Sequence, residues 1–128
     1  MNNVKKPSLL GKNTSSQIPI SNGMRVLAID PGYERVGFAV LEKDDLSKEV
    51  LLYSDCFKTS AKLPFPSRLK LIGDEMLSII KKYNPNTCAV EKLYFHTNQK
   101  TAMSVSEARG IFLYIAENTG LSIHEYTR

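Results

Sequence analysis

The segment VLAIDPGYERVGFAV, residues 26–40, places an aspartate at the end of an apolar run and follows it at once with Pro-Gly. The apolar residues on either side predict two buried strands, at residues 25–29 and 36–41. An ionised carboxylate is costly to bury unless a partner compensates its charge. Asp30 is therefore either a turn residue, as expected of Asp-Pro-Gly, or a ligand.

The remainder of the chain continues this pattern in a regular order. Val, Leu, Tyr and Phe residues predict a third strand at residues 50–57, and apolar residues at helical spacing after Pro66 predict a helix that ends at Asn84 and Pro85. Residues 87–93 predict a strand, residues 98–118 a helix closed by Gly120, and residues 121–126 a last strand. The order β-β-β-α-β-α-β predicts an α/β class with a mixed five-stranded sheet, three antiparallel strands and then β-α-β-α-β, flanked by helices. This is the layout of a ribonuclease H-like fold.

Composition and charge divide the chain into two parts. Residues 1–23 carry three lysines and no acid, are rich in Asn, Ser and Pro, and are expected to be a disordered extension. Residues 24–128 are expected to form one domain, in which 14 basic and 13 acidic residues nearly balance. The absence of a long apolar run predicts a cytoplasmic protein, and Cys56 and Cys88 are expected to be buried, reduced thiols.

A second acid, Glu91, also interrupts an apolar strand near its C-terminal end. In open α/β sheets the crevice beyond those strand ends binds ligands, so Asp30 and Glu91 could face one another there. Two carboxylates at close range repel, and a hard divalent cation such as Mg²⁺ relieves that repulsion. A structural ion pair between Glu91 and Lys92 or Arg109 is the competing interpretation.

Residues that could contact nucleic acid follow Glu91. Tyr94 and Phe95 could stack on bases or pack into the core, and alternation does not choose between them. Lys92, Lys100 and Arg109 could bind phosphate, although a solvated helix face explains Lys100 equally well. Gly110 within a helix suggests close packing against another helix, which could belong to a partner subunit.

Three segments carry a resemblance to a known family. AIDPGYERVGFAVLE at 28–42, AVEKLYFHTNQKTAMSVSEARG at 89–110 and the terminal IHEYTR resemble RuvC-type Holliday junction resolvases. The resemblance implies a homodimeric endonuclease that binds four-way junction DNA and nicks two strands symmetrically in recombination and repair. It also implies two Mg²⁺ ions per site, bridged by Asp30, with Glu91 ligating one of them. The RuvA and RuvB branch-migration proteins are possible partners by the same resemblance.

The resemblance also assigns roles and shows a deficit. Tyr94 matches the aromatic residue that inserts at the branch point, and the helix with Ala108, Gly110 and Phe112 matches the one through which family members dimerise. The family's third and fourth acids lie in an Asp-x-x-Asp-Ala motif that these 128 residues lack. The 128-residue chain is therefore expected to cleave poorly or not at all.

Three alternatives remain open at this stage. A non-catalytic junction-binding protein would need no further acids, and a YqgF-type RNA-processing nuclease would share the early aspartate and the fold. An actin-like ATP-binding domain also opens with an aspartate after a strand, but a chain of 128 residues leaves no room for the second domain that closes over nucleotide.

Overall fold

A computed structural model describes residues 23–32, 34–44, 46, 48–92 and 99–127. The order of elements predicted from the sequence is confirmed, whereas the extension expected at residues 1–23 lies, apart from Gly23, outside the described residues. None of the helices in the described ranges is long and apolar enough to cross a membrane. The elements are β1 (Met24–Asp30), β2 (Arg35–Lys43), β3 (Glu49–Lys58), α1 (Phe65–Tyr83), β4 (Thr87–Glu91), α2 (Gln99–Asn118) and β5 (Ser122–Tyr126).

The five strands form one mixed sheet in the order β3-β2-β1-β4-β5. Short connections make β1, β2 and β3 antiparallel neighbours, while each strand that follows a helix lies parallel to its neighbour, β4 beside β1 and β5 beside β4. The mixed five-stranded sheet predicted from the sequence is thereby confirmed. β1, β4 and β5 run parallel to one another, so their C-terminal ends meet at one edge of the sheet.

Both helices end where the sequence predicts. Pro66 lies in the first turn of α1, where the missing N–H costs nothing, and Asn84 ends that helix in the left-handed region with φ 51°. The Asn84 N–H donates to the Ile80 carbonyl at 2.8 Å, and Pro85 prevents continuation. Gly120, with φ 80°, reverses the chain after α2, a conformation that favours glycine.

The two faces of the sheet differ in burial. One face carries the core, and both helices pack on it. There Phe38 of β2 packs edge to face against Phe112 of α2, with the ring centroids 5.9 Å apart. The opposite face, hereafter the open face, carries half-buried small and apolar residues, and no helix of the described ranges packs against it. The open face of the three central strands comprises Val26, Ala28, Asp30, Gly37, Ala39, Leu41, Thr87, Ala89 and Glu91.

The two cysteines occupy different environments. Cys88 is fully buried in the core, as expected, and burial raises the pKa of its thiol to about 12. Cys56 is exposed, so the expectation of burial is wrong for this residue. The reason is position, because β3 is the edge strand and most of its residues are exposed on both faces.

Arg25 is a fully buried arginine at the start of β1. Its guanidinium pairs with Glu42 of β2 at 2.5 Å and donates to the Tyr83 carbonyl of α1 at 2.7 Å. The charge is thus compensated inside the fold, as a buried cation requires. It ties the sheet to the end of α1, at the end of β1 opposite Asp30.

Candidate active site

Asp30 and Glu91 end two neighbouring parallel strands. The β1–β4 pairing runs through Ile29 beside Val90, so the next residue on each strand is one of the two acids. Both acids belong to the open face, because they alternate with Ile29 and Val90, which face the core. With a strand spacing of about 4.8 Å, the two acidic residues end adjacent strands at the same sheet edge. Asp30 is exposed and Glu91 is half-buried.

Small residues surround this pair of carboxylates. Ala28 and Ala89 precede the acids on the open face, and Gly37 of β2 lies directly across from Asp30. A β-carbon added at Gly37 would lie 3.3 Å from the Asp30 β-carbon, closer than most real contacts of that kind. The glycine therefore avoids a crowded contact with the Asp30 side chain.

The main chain at Glu91 is held from two sides. Arg109 of α2 donates from Nε to the Glu91 carbonyl at 3.2 Å, and the Lys92 N–H donates to the Tyr126 carbonyl of β5 at 2.7 Å. Tyr126 is the register partner of Glu91. The end of β4 is fixed by these contacts, which orients the Glu91 side chain towards the open face.

Arg109, for which a phosphate contact is expected, is engaged within its own chain. Its guanidinium also pairs with Glu125 of β5, and its side chain is only 17 % exposed. These contacts hold the main chain at Glu91, and the phosphate contact of Arg109 stays a prediction. The ion pair that the sequence left open for Arg109 exists, but with Glu125 as the partner.

Of the other residues predicted to contact DNA, the structure describes the side chain of one. Lys92 follows Glu91 directly and is exposed at the same sheet edge. Tyr94 and Phe95 lie outside the described residues, and Lys100 lies in the first turn of α2 with a side chain that is not described. Their proposed contacts with DNA remain predictions.

The predicted dimer contacts on α2 divide into two groups. Ala108 and Phe112 are fully buried in the core of their own chain, so they face the sheet and cannot contact a second copy. This corrects the expectation for both residues, and the reason is the rotation of α2 about its axis. Gly110 is exposed, with open space where a β-carbon would be, and stays a candidate.

Sequence reasoning missed Gly37 and Tyr126, which adjoin the two acids. Neither is marked by a motif, since glycine in a strand and tyrosine at a chain end are ordinary. Their positions follow only from strand register, which pairs Gly37 with Asp30 and Tyr126 with Glu91. Pairing the first two predicted strands as a hairpin around the Pro-Gly turn would have placed the glycine opposite Asp30.

The chemistry of Asp30 and Glu91 fits a hard divalent cation. Carboxylate oxygens are the ligands that Mg²⁺ prefers, and a cation between two acids relieves their repulsion. Among the described residues no cluster of three or more His, Cys, Asp or Glu side chains could hold a metal ion, so a metal site at this edge stays a prediction that rests on these two acids.

Comparisons with known proteins identify the family of the chain. The family model described as crossover junction endodeoxyribonuclease RuvC matches residues 26–128. Proteins of that name from Finegoldia magna and Halothermothrix orenii are each 44% identical over 104 residues, which cover 81% of this chain and 63% and 62% of theirs. The chain thus spans a little under two thirds of the length of these relatives.

A Thermus thermophilus RuvC structure in complex with Holliday junction substrate matches with a TM-score of 0.76 and 28% identity over 82% of this chain and 66% of that one. By its sequence, its fold and its match to the family model, the chain belongs to the RuvC family of crossover junction endodeoxyribonucleases.

Proposed function

We propose that this chain forms the catalytic core of an endonuclease that hydrolyses phosphodiester bonds in four-way junction DNA. One observation carries the proposal: Asp30 and Glu91 lie side by side on the open face, at the C-terminal edge of the parallel strands. Family membership supplies the reaction class and the substrate, because its members carry the name crossover junction endodeoxyribonuclease.

The residues of the site have separate tasks in this proposal. Asp30 and Glu91 would hold divalent cations, which we propose to be two Mg²⁺ ions. When bound, such ions neutralise charge on the scissile phosphate and lower the pKa of a water molecule. Gly37 would leave space for that phosphate beside Asp30, and Arg109 would keep Glu91 in position through its carbonyl.

The proposal extends to assembly and location. A four-way junction has two-fold symmetry, so two copies related by the same symmetry could make paired cuts. We propose a homodimer in which the exposed side of α2, with Gly110, faces the partner. Tyr94, Phe95, Lys92 and Lys100 would contact the DNA, and the RuvA and RuvB proteins would act on the same junctions in the cytoplasm.

Metal binding by matched variants tests the core of the proposal. Asp30→Asn and Glu91→Gln remove one negative charge each and keep the side-chain shape, while Glu117→Gln makes the same change at an exposed position on α2. Calorimetric titration with Mn²⁺, as a stand-in for Mg²⁺, should show binding in the wild-type chain and in Glu117→Gln. Binding should be lost or strongly weakened in the two site variants. Unchanged Mn²⁺ affinity in both site variants would overturn the assignment.

Substrate choice is tested separately from metal binding. In Ca²⁺, the wild-type chain should bind a synthetic four-way junction in the presence of excess linear duplex of the same sequence. Competition by linear duplex as effective as that by unlabelled junction would contradict the proposed substrate. A preference for structured RNA over the junction would favour the YqgF-type alternative.

A second function is favoured by the number of acids. Because the described residues bring only two carboxylates together at this edge, the chain could bind junctions without cutting them. A nicking assay with Mg²⁺ separates the two: detectable cuts that disappear in Asp30→Asn support the nuclease, while tight binding without cuts supports the binding protein.

A further inference from the structure

Two cationic residues face one another at the end of the β2–β3 ladder. Arg35 and Lys58 are register partners in this antiparallel pair, and both are exposed. Just beyond them, the Thr59 N–H donates to the Glu34 carbonyl at 2.9 Å and fixes the strand ends. Like charges directly opposite one another destabilise a sheet. None of the ion pairs within the described residues involves Arg35 or Lys58.

This pair shares a face and an edge with the two acids. On β2, Arg35 lies two residues before Gly37, which is the register partner of Asp30. On β3, Lys58 lies two residues after Cys56, which is the register partner of Gly37. Residues two apart in a strand share a face, so all of these residues lie on the open face. Because β2 runs antiparallel to β1, Arg35 lies beyond the end of β1. From the strand spacing and the rise per residue, its α-carbon is about 8 Å from that of Asp30.

Among the described strand residues, those between the cations and the acids on the open face are small. Gly37 has no side chain, and Cys56 has a small one. A long arginine or lysine side chain can therefore reach a phosphate next to one held at Asp30. Residues 24–128 are nearly balanced in charge, so this cationic pair is a local feature and not the result of general basicity.

We propose that Arg35 and Lys58 bind the DNA backbone at phosphates that flank the scissile one. The inference rests on the proposed function, since it assigns part of the substrate-binding surface of the same site. Contacts of this kind fix the position of a strand without reading its sequence. They would offset the repulsion between DNA and the two carboxylates, and would hold the backbone across Gly37.

The salt dependence of DNA binding tests the pair directly. The variants are Arg35→Gln, Lys58→Gln and the double substitution, with Lys82→Gln on α1 as a control, because α1 packs against the opposite face. Affinity for a labelled four-way junction is measured by fluorescence anisotropy in Ca²⁺ between about 50 and 200 mM KCl. The four variants change only three positions, all exposed, and thermal melting confirms that each variant is folded.

The plot of log affinity against log salt concentration has a negative slope. Its magnitude should decrease by about 0.7 to 0.9 for each lost phosphate contact, and by about twice that in the double variant. The control should keep the wild-type slope, and Lys58→Arg, which preserves the charge, should keep it too. A double variant with the wild-type slope would overturn the role of the pair and leave the proposed function standing. A wild-type chain that fails to bind the junction at any salt concentration would overturn the proposed function and the inference together.

Discussion

Replacing Arg109 by methionine should loosen the end of β4 that carries Glu91. The guanidinium has two contacts to lose, the hydrogen bond to the Glu91 carbonyl at 3.2 Å and the ion pair with Glu125. A hydrogen bond from a charged donor contributes about 1.5 to 3 kcal/mol. Glu125 is 41 % exposed, so solvent screening limits the ion pair to about 1 kcal/mol or less. Methionine retains the apolar part of the side chain.

We therefore expect the free energy of unfolding to fall by about 2 kcal/mol, which lowers the midpoint of urea unfolding by about 1 M for an m-value near 2 kcal/mol/M. The second readout is Mn²⁺ affinity at a temperature where the variant is folded. It should fall by about 10-fold, as when outer-shell partners of metal ligands are removed, because the Glu91 main chain loses an anchor.

Arg68→Met provides the matched control for this prediction. Arg68 is a buried arginine, whereas Arg109 is half-buried, and Arg68 donates to the Thr59 hydroxyl at 3.0 Å, on the far side of the sheet from the open face. Its replacement should cost comparable stability without changing Mn²⁺ affinity. If Arg109→Met loses stability but keeps the full Mn²⁺ affinity, the residue supports the fold alone and the reasoning about Glu91 is wrong.

Three further changes test other parts of the structure. Gly37→Ala should weaken Mn²⁺ binding in a calorimetric titration, because the added β-carbon crowds Asp30 at 3.3 Å, and unchanged affinity would show that the site tolerates a side chain there. Burial raises the pKa of Cys88 to about 12, above its unfolded value, so its contribution to stability is complete below about pH 9 and is lost as pH rises towards 12. Urea unfolding of Cys88→Ala should therefore depend less on pH in that window than unfolding of the wild type; equal pH dependence would contradict this. Gly110→Ala should raise the melting temperature of a monomer, since alanine favours a helix by up to about 1 kcal/mol and meets nothing within 4 Å, but should weaken self-association in sedimentation experiments if α2 forms the dimer contact.

The sequence was a good guide to the sheet and to its two acids. Apolar periodicity, Pro-Gly and Asn-Pro turns and chain order were enough to predict the seven elements, because each depends on residues close together along the chain. Asp30 and Glu91 were found for the same reason: each is a charge at the end of an apolar strand, and parallel strands bring such ends together.

Side-chain direction was harder to predict than element order. The inward turn of Arg109 depends on how α2 rotates over β4 and β5, and helical spacing alone does not fix that rotation. The same rotation buries Ala108 and Phe112, which a motif match had assigned to a partner surface. The exposure of Cys56 depends on β3 being an edge strand, and the facing pair of Arg35 and Lys58 depends on hairpin register.

The β1–β4 pairing has a consequence for when the two acids can act together. It joins segments about 61 residues apart in the chain, with α1 and two strands between them, whereas the β1–β2–β3 hairpins are local. Closing such a long loop costs entropy before any contact offsets it, so distant pairings of this kind tend to form late in folding. A chain emerging from the ribosome would therefore complete its hairpins first. Asp30 would gain its companion only after β4 had been synthesised and docked, which delays metal binding until the fold is nearly complete.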